Sequence, residues 1–177
     1  MSQLKVNSII PVGGLSGSAN GGIIQVVQVT HGNQVSTTGT SYVDTGLSAS
    51  ITPNSTSSKI LVIVTQRFFI KRSTDQARGG FRLLRGSTVI LQGPNTQNGQ
   101  EPGGEGFSSG NGPGAIQVAG AYSCSFLDSP STTSATTYKT QFANHQSSAS
   151  PTIYVNGTNV TTGDDGVSTM TLFEVTA

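Results

Sequence analysis

The feature that most constrains the fold is the apolar run from Lys59 to Ile70. It contains the β-branched series around Ile60 to Val64 and lacks the apolar spacing of a helix, so it predicts a strand. The run is also shorter than the roughly 20 apolar residues that a membrane-spanning helix needs. A central strand of a β-sandwich accounts for such a run.

Shorter segments rich in β-branched residues recur along the rest of the chain and are separated by turn residues. We count about nine or ten predicted strands, at the spacing typical of a sandwich. The chain contains 24 Ser, 23 Thr and 23 Gly but only three Glu, which argues against a helical bundle. No predicted helix is long enough to join parallel strands, so we predict an all-β fold, an antiparallel β-sandwich.

For two of the predicted strands, the sequence also predicts how the apolar residues are distributed between the two faces. The apolar density of Ile23–Val29 predicts a strand that is buried on much of both faces. The closing segment, residues 168–175, alternates, with Met170 and Leu172 on one face and Phe173 on the other.

The first 22 residues predict an arm that does not belong to the main core. Residues 4–10 have strand character, and residues 11–22 are rich in Gly and Ser and therefore flexible by composition. An isolated strand is marginal alone and needs a sheet edge, which can belong to another chain. We therefore divide the chain into an attachment arm and linker, residues 1–22, and a sandwich domain, residues 23–177. The predicted attachment residues are Leu4, Val6, Ile9 and Ile10.

A long loop is predicted from Gln92 to Gly114, where eight Gly and three Pro fall within 23 residues. Loops of this length are uncommon in compact domains unless they are functional or held by a partner. The residues proposed to contact another surface are Gln100, Glu101, Glu105 and Phe107.

Basic residues are concentrated in one region although the formal net charge is only +1. Seven of the nine lie between Lys59 and Arg85, and we favour the interpretation that strands here turn a polar face to water. The alternative is a basic patch for a glycan or a lipopolysaccharide phosphate. Few aromatic residues are interleaved with the patch, so we predict no nucleic-acid partner. The candidate patch residues are Arg67, Lys71, Arg72 and Arg78.

The sequence offers no set of acid, base and nucleophile, so we predict that the chain is not an enzyme. The single cysteine, Cys124, excludes an internal disulfide and a cysteine-based zinc cluster, and a buried inert thiol is expected. Asp164 and Asp165 resemble a fragment of a calcium loop without its spaced ligands, so their ion binding is left open. We predict no catalytic, cofactor or metal site, no membrane insertion and no secretory leader.

Several segments in order resemble a known family. The resemblance lies in Lys5–Pro11, Gly22–Gln28, Tyr42–Pro53, Ser57–Val62, Asp128–Pro130, Thr136–Lys139 and Ser168–Val175. Together they are similar to a family of virion structural proteins of tailed bacteriophages, especially phages of cyanobacteria and other marine bacteria. Members are described as tail-fibre-like or simply structural, and the resemblance covers nearly the whole chain outside the Gly-rich loop.

The closing strand and the strand after Ser58 also resemble the jelly-roll head of the tumour necrosis factor and complement globular-head superfamily. That resemblance implies a jelly roll and a homotrimer with an axis lined by apolar residues. The residues expected to form the trimer core are Met170, Leu172 and Phe173.

These resemblances imply a non-enzymatic virion protein that is assembled in the host cytoplasm. The leading hypothesis is a homotrimeric tail fibre or fibre-tip subunit, anchored to other virion proteins by its arm and facing the host surface, where a glycan is a possible partner. One alternative is a capsid decoration protein that staples capsomers. A second alternative is a carbohydrate-binding module, which the absence of Trp disfavours.

Overall fold

The structure, a computed structural model, describes residues 22–72, 78–92, 107–108, 116–145, 152–157 and 166–176. These residues form strands and turns, and no helix among them could span a membrane. The strands are β1 (Ile23–His31), β2 (Val35–Thr37), β3 (Val43–Ile51), β4 (Lys59–Arg72), β5 (Arg78–Arg85), β6 (Thr88–Leu91), β7 (Phe107–Ser108), β8 (Ile116–Asp128), β9 (Thr136–Asn144), β10 (Thr152–Val155) and β11 (Ser168–Val175).

The strands form two antiparallel sheets, which confirms the predicted all-β sandwich. In the six-stranded sheet the order is β1-β11-β4-β8. Beyond the end of β11, β10 pairs with the second half of β4, and β2 pairs with β10. In the five-stranded sheet the order is β3-β9-β5-β6, with β7 beside β5. When the short strands β2, β7 and β10 are left out, eight strands remain. Numbered one to eight along the chain, they have the order 1-8-3-6 in the first sheet and 2-7-4-5 in the second, which is the connectivity of a jelly roll.

The central position predicted for the apolar run is confirmed. β4 pairs with β11 on one side along Lys59–Thr65 and with β10 along Phe68–Lys71. On its other side it pairs with β8 along Ile60–Arg72. β4 is thus hydrogen-bonded on both edges and lies at the centre of its sheet.

The core lies between the sheets and is divided by a polar layer. Gln66 on β4 lies between apolar positions, as does Thr140 on β9, and both side chains are buried. The Thr140 hydroxyl donates to Gln66 Oε1 at 3.0 Å and lies 2.6 Å from Thr45 Oγ1, while Gln66 Nε2 donates to Ser168 Oγ at 2.6 Å. Because every member has a partner, this network joins the two sheets without an unsatisfied polar group at these contacts.

Two turns depend on glycine. The turn between β5 and β6 contains Gly86 at φ 58°, a conformation that side chains disfavour. Gly46, at φ 86°, lies in the irregular middle of β3, and a Cβ there would fall 2.3 Å from Nε2 of His31. His31 therefore packs directly on the Gly46 backbone and closes this end of the sandwich.

Three local expectations need correction. The predicted loop 92–114 contains the short strand β7, which pairs with β5. The Ser/Thr-rich stretch after Asn33 predicts a break between strands, but it contains β2, which pairs with β10. β1 is not buried on both faces, because Ile24 and Val26 are 51% and 55% exposed. Val27 and Val29, on the other face of β1, pack against the core, so Ile24 and Val26 lie on the outside of the sheet.

Candidate assembly interface

An apolar row crosses the outer face of the six-stranded sheet. The register places Val26 opposite Phe173, Phe173 opposite Leu61, and Leu61 opposite Leu127. Val26 and Leu127 are 55% and 50% exposed, and the two between them are half-buried by their neighbours. Side chains alternate along each strand, so these four residues point away from the sandwich core.

Two further rows continue the same surface without a charged residue. Gln28, Thr171, Ile63 and Ser125 form the second row, and Ile63 is 41% exposed. Thr30, Thr169, Thr65 and Ser123 form the third row. We call these twelve outward positions the uncharged face: Val26, Gln28, Thr30, Leu61, Ile63, Thr65, Ser123, Ser125, Leu127, Thr169, Thr171 and Phe173.

The uncharged face is bounded by cations along β4. Lys59 lies one outward position before Leu61, and Arg67 lies one outward position after Thr65, and both are exposed. Charged residues are depleted at the centre of protein–protein interfaces, and contiguous apolar patches on a soluble surface mark contact sites. A four-stranded surface without charge is therefore the best candidate for a contact with another protein surface.

The outer face of the five-stranded sheet is different, because charged and polar side chains cross it. Gln141 Nε2 donates to Asp44 Oδ1 at 2.6 Å, and Lys139 Nζ lies 3.0 Å from Asp44 Oδ2. Arg82 Nε donates to Gln141 Oε1 at 2.8 Å, and its guanidinium lies 4.0 Å from the centre of the Tyr42 ring. Such cross-strand pairs are typical of a sheet face turned to water.

Two ionisable side chains on this face have shifted pKa values. Burial raises the pKa of Tyr42 to about 12, although the nearby Arg82 guanidinium acts in the opposite direction. Partial burial raises the pKa of Asp44, but the hydrogen bonds from Gln141 and Lys139 and the Lys139 charge outweigh it, and the pKa lies below its ordinary value.

We expect the protein to lose stability between about pH 10 and 12. The pKa of Tyr42 is near 12 when folded against an ordinary value of 10.0, so the unfolded chain loses this proton first and unfolding becomes favoured. Burial also raises the pKa of Tyr138, in the same direction. Urea midpoints at pH 9 and pH 11 measure the loss, and Tyr42→Phe should reduce it. An equal midpoint at the two pH values would contradict the assignment.

Buried polar contacts fix the strands that carry the uncharged face. Glu174 on β11 is fully buried and accepts the Asn54 backbone N–H at 2.6 Å and its side-chain amide at 2.9 Å. At the end of β8, Asp128 accepts Arg85 Nη1 at 2.9 Å and the Tyr138 hydroxyl at 2.7 Å. Phe173 and Leu127, one residue away from these anchors, are therefore held by rigid backbone.

The expected trimer core is only partly placed at this surface. Met170 and Leu172 are fully buried between the two sheets of the single chain, so they have no surface left for a second copy. Phe173 points outward and belongs to the uncharged face. The expectation combined residues from both faces of one strand, and alternation along β11 separates them.

The other candidate residues are dispersed. Arg67 and Lys71 are exposed on the outer side of β4, but Arg78 lies on β5 of the other sheet, so these three residues do not share one sheet face. The side chains of Arg72 and Phe107 lie outside the described part of the structure. The remaining candidates also lie outside the described residues: Leu4, Val6, Ile9, Ile10, Gln100, Glu101, Glu105, Asp164 and Asp165.

The described residues hold no cluster of three or more His, Cys, Asp and Glu side chains arranged for a metal ion. Cys124 is half-buried rather than fully enclosed, and burial raises the pKa of its thiol, with a smaller opposing effect from the Tyr122 hydrogen bond. A thiol with a raised pKa is a weak nucleophile at neutral pH.

Comparison with known proteins adds little to this picture. No family model matches the chain, and no curated protein matches it. Among solved structures, the crystal structure of the infectious bursal disease virus VP2 subviral particle is similar at 15% identity and a TM-score of 0.32. The match covers 86% of this chain and 38% of that chain, so this chain spans well under half of VP2. A likeness at this level carries no argument about what the chain does.

Sequence reasoning missed the β1 and β8 residues of the uncharged face. Val26 was assigned to a strand buried on both faces, and Leu127 was assigned no role. The sequence did contain a signal, because β1 and β8 carry apolar residues at alternate positions. Such residues can indicate an outer face covered by a partner as well as a face buried in the chain's own core. Only the strand order shows that Val26 and Leu127 lie in one row.

Proposed function

We propose that the chain is a non-enzymatic virion structural protein, a homotrimeric subunit of a bacteriophage tail fibre or fibre tip. The observation that supports self-association is the uncharged face, which spans four strands and includes Val26 and Leu127 at 55% and 50% exposure. The resemblance to phage fibre-like proteins supports the virion assignment, and the resemblance to jelly-roll heads supports a ring of three.

In this proposal the uncharged face meets neighbouring copies, and the polar face of the five-stranded sheet turns to the medium. Repetition of one contact around a closed axis gives a ring, and each copy then buries an apolar surface that is exposed in isolation. Residues 1–22 hold the subunit in the particle. A structural role also suits the described acids, since Asp128 and Glu174 are occupied by contacts that hold strands together.

The test is to isolate particles produced from the genome that encodes the chain and to count its copies by quantitative mass spectrometry. We expect the chain to remain with the particles after density-gradient purification, in a copy number divisible by three, and gold-labelled antibody to mark the tail. Recovery of the chain only as free protein would overturn the proposal. Labelling over the whole capsid would assign it to decoration instead.

Deletion of residues 1–22 should separate assembly of the body from attachment to the particle. We expect the shortened chain to keep the circular dichroism spectrum and oligomeric mass of the full chain, because the described strands begin at Ile23. Incorporation into particles should fall by more than tenfold. Normal incorporation of the shortened chain would contradict the attachment role of the arm.

A further inference from the structure

The free edge of β8 has the properties of a strand-addition site. β8 pairs with β4 over thirteen consecutive positions, Ile116–Asp128, with no irregularity, and no described strand pairs with its other edge. From 116 to 127 the strand contains no charged residue and no proline. Natural proteins protect long edge strands with charges, prolines, bulges or short length, so an unprotected edge is a template for another strand.

The other sheet edges are shorter or irregular. β1 has seven consecutive pairs, Gln25–His31, after an irregularity between Ile23 and Gln25, and β3 has an irregularity between Asp44 and Ser48. β3 also presents the exposed Asp44, and β6 has only four residues. β8 is therefore the long, regular and uncharged edge among the described strands.

Apolar side chains beside this edge are incompletely covered. Cys124 and Phe126 point inward from β8 and are half-buried, as are Ile90 and Leu91 on the facing edge strand β6. On the outer side of β8, Leu127 is 50% exposed. A strand added along β8 would cover Cys124 and Phe126 on one face and Leu127 on the other.

We infer that the free edge of β8 accepts residues 4–10 of a second copy of this chain. This inference rests on the proposed function, in which the arm holds the subunit in the particle, and it names another copy as the arm's acceptor. The segment has the length of a short strand, and Leu4, Val6, Ser8 and Ile10 share one face when it is extended. Backbone hydrogen bonds would supply affinity, and the apolar side chains would set the register.

The linker is long enough to reach either the arm's own chain or a neighbour, and the position of the uncharged face favours the neighbour. Residues 11–21 can span up to about 36 Å when extended, and four strands are only about 15 Å across. The arm leaves from β1, at the opposite edge of the sheet from β8. To reach its own β8 along the outer side, the linker would cross the uncharged face and block the contact proposed there.

The single native cysteine allows a direct test by disulfide trapping between two chains. Chain one carries Val6→Cys with Cys124→Ser, and chain two, of a different tag length, keeps Cys124 and the native arm. The two full-length chains are co-expressed, purified together and oxidised with copper phenanthroline. Opposed residues on neighbouring antiparallel strands have the separation that a disulfide requires.

We expect a disulfide-linked band containing one chain of each tag length. A scan that places the cysteine at each position from 4 to 10 should show a period of two. The best of Leu4, Val6, Ser8 and Ile10 should be trapped at least tenfold faster than Asn7→Cys, the matched control on the other face. Equal trapping on both faces, or no trapping, would overturn the inference.

Three outcomes separate this inference from the proposed function. A disulfide within one chain, in a variant that has Val6→Cys and retains Cys124, would place the arm on its own β8 and overturn the inference. A stable trimer by light scattering without trapping at any of the seven positions would also overturn it but leave the homotrimer standing. Disulfide trapping between copies with a period of two, in a preparation that is not trimeric, would support β8 of another copy as the acceptor of the arm. The same result would refute the homotrimer.

Discussion

Replacement of Asp128 by alanine is expected to lower the melting temperature by about 6–12 °C. The carboxylate accepts both the Tyr138 hydroxyl at 2.7 Å and Arg85 Nη1 at 2.9 Å. Tyr138 is fully buried, so its hydroxyl would lose its acceptor, at a cost of about 1–3 kcal/mol. The Arg85 side chain is 31% exposed, so solvent weakens that pair, and we expect a total loss of about 3 kcal/mol.

For a chain of this length, each kcal/mol shifts the melting temperature by roughly 2–4 °C. The matched control is Asp44→Ala, which removes the ion pair with Lys139. The Asp44 side chain is 54% exposed. Exposed pairs contribute about 0–1 kcal/mol, so the control should melt within about 3 °C of the native chain. Both variants are followed by circular dichroism at one chain concentration, because association shifts melting. Equal losses in the two variants would contradict the role given to the buried cluster.

If the proposed trimer forms, replacement of Ile63 by lysine is expected to dissociate it into monomers of 18.1 kDa. Ile63 lies in the second row of the uncharged face and is 41% exposed, so lysine can point to water in a single copy and the fold should persist. In the trimer the same side chain would place an unpaired ammonium in each contact, which is costly to desolvate.

The matched control for Ile63→Lys is Val89→Lys. Val89 is 37% exposed but lies on β6 of the five-stranded sheet, away from the uncharged face. We expect this variant to keep the oligomeric mass of the native chain, and both variants to keep its circular dichroism spectrum. If Val89→Lys dissociated the protein and Ile63→Lys did not, the contact would lie on the other sheet.

Much of the fold follows from local sequence because strand residues alternate between a solvent-exposed and a buried face. The predicted separation of Met170 and Leu172 from Phe173 is confirmed. β2 and β7 were missed because strands of two or three residues are defined by pairing with distant segments, such as β7 with β5.

The uncharged face could be predicted less well than the fold because each of its rows combines residues from four different strands. The contact that anchors β8 joins residues separated by 43 positions, Arg85 and Asp128, and that of β11 joins residues separated by 120, Asn54 and Glu174. No local pattern specifies such pairs. Likewise, the exposed side of β1 is indistinguishable from a second buried side until it is known which of its faces packs on the other sheet.

The most direct test of the central claim is the solution mass of the full-length chain by light scattering across a hundredfold dilution. We expect three times 18.1 kDa at every concentration, because each copy buries its uncharged face against neighbours. A mass of 18.1 kDa throughout would contradict self-association through this face and leave the homotrimer without support.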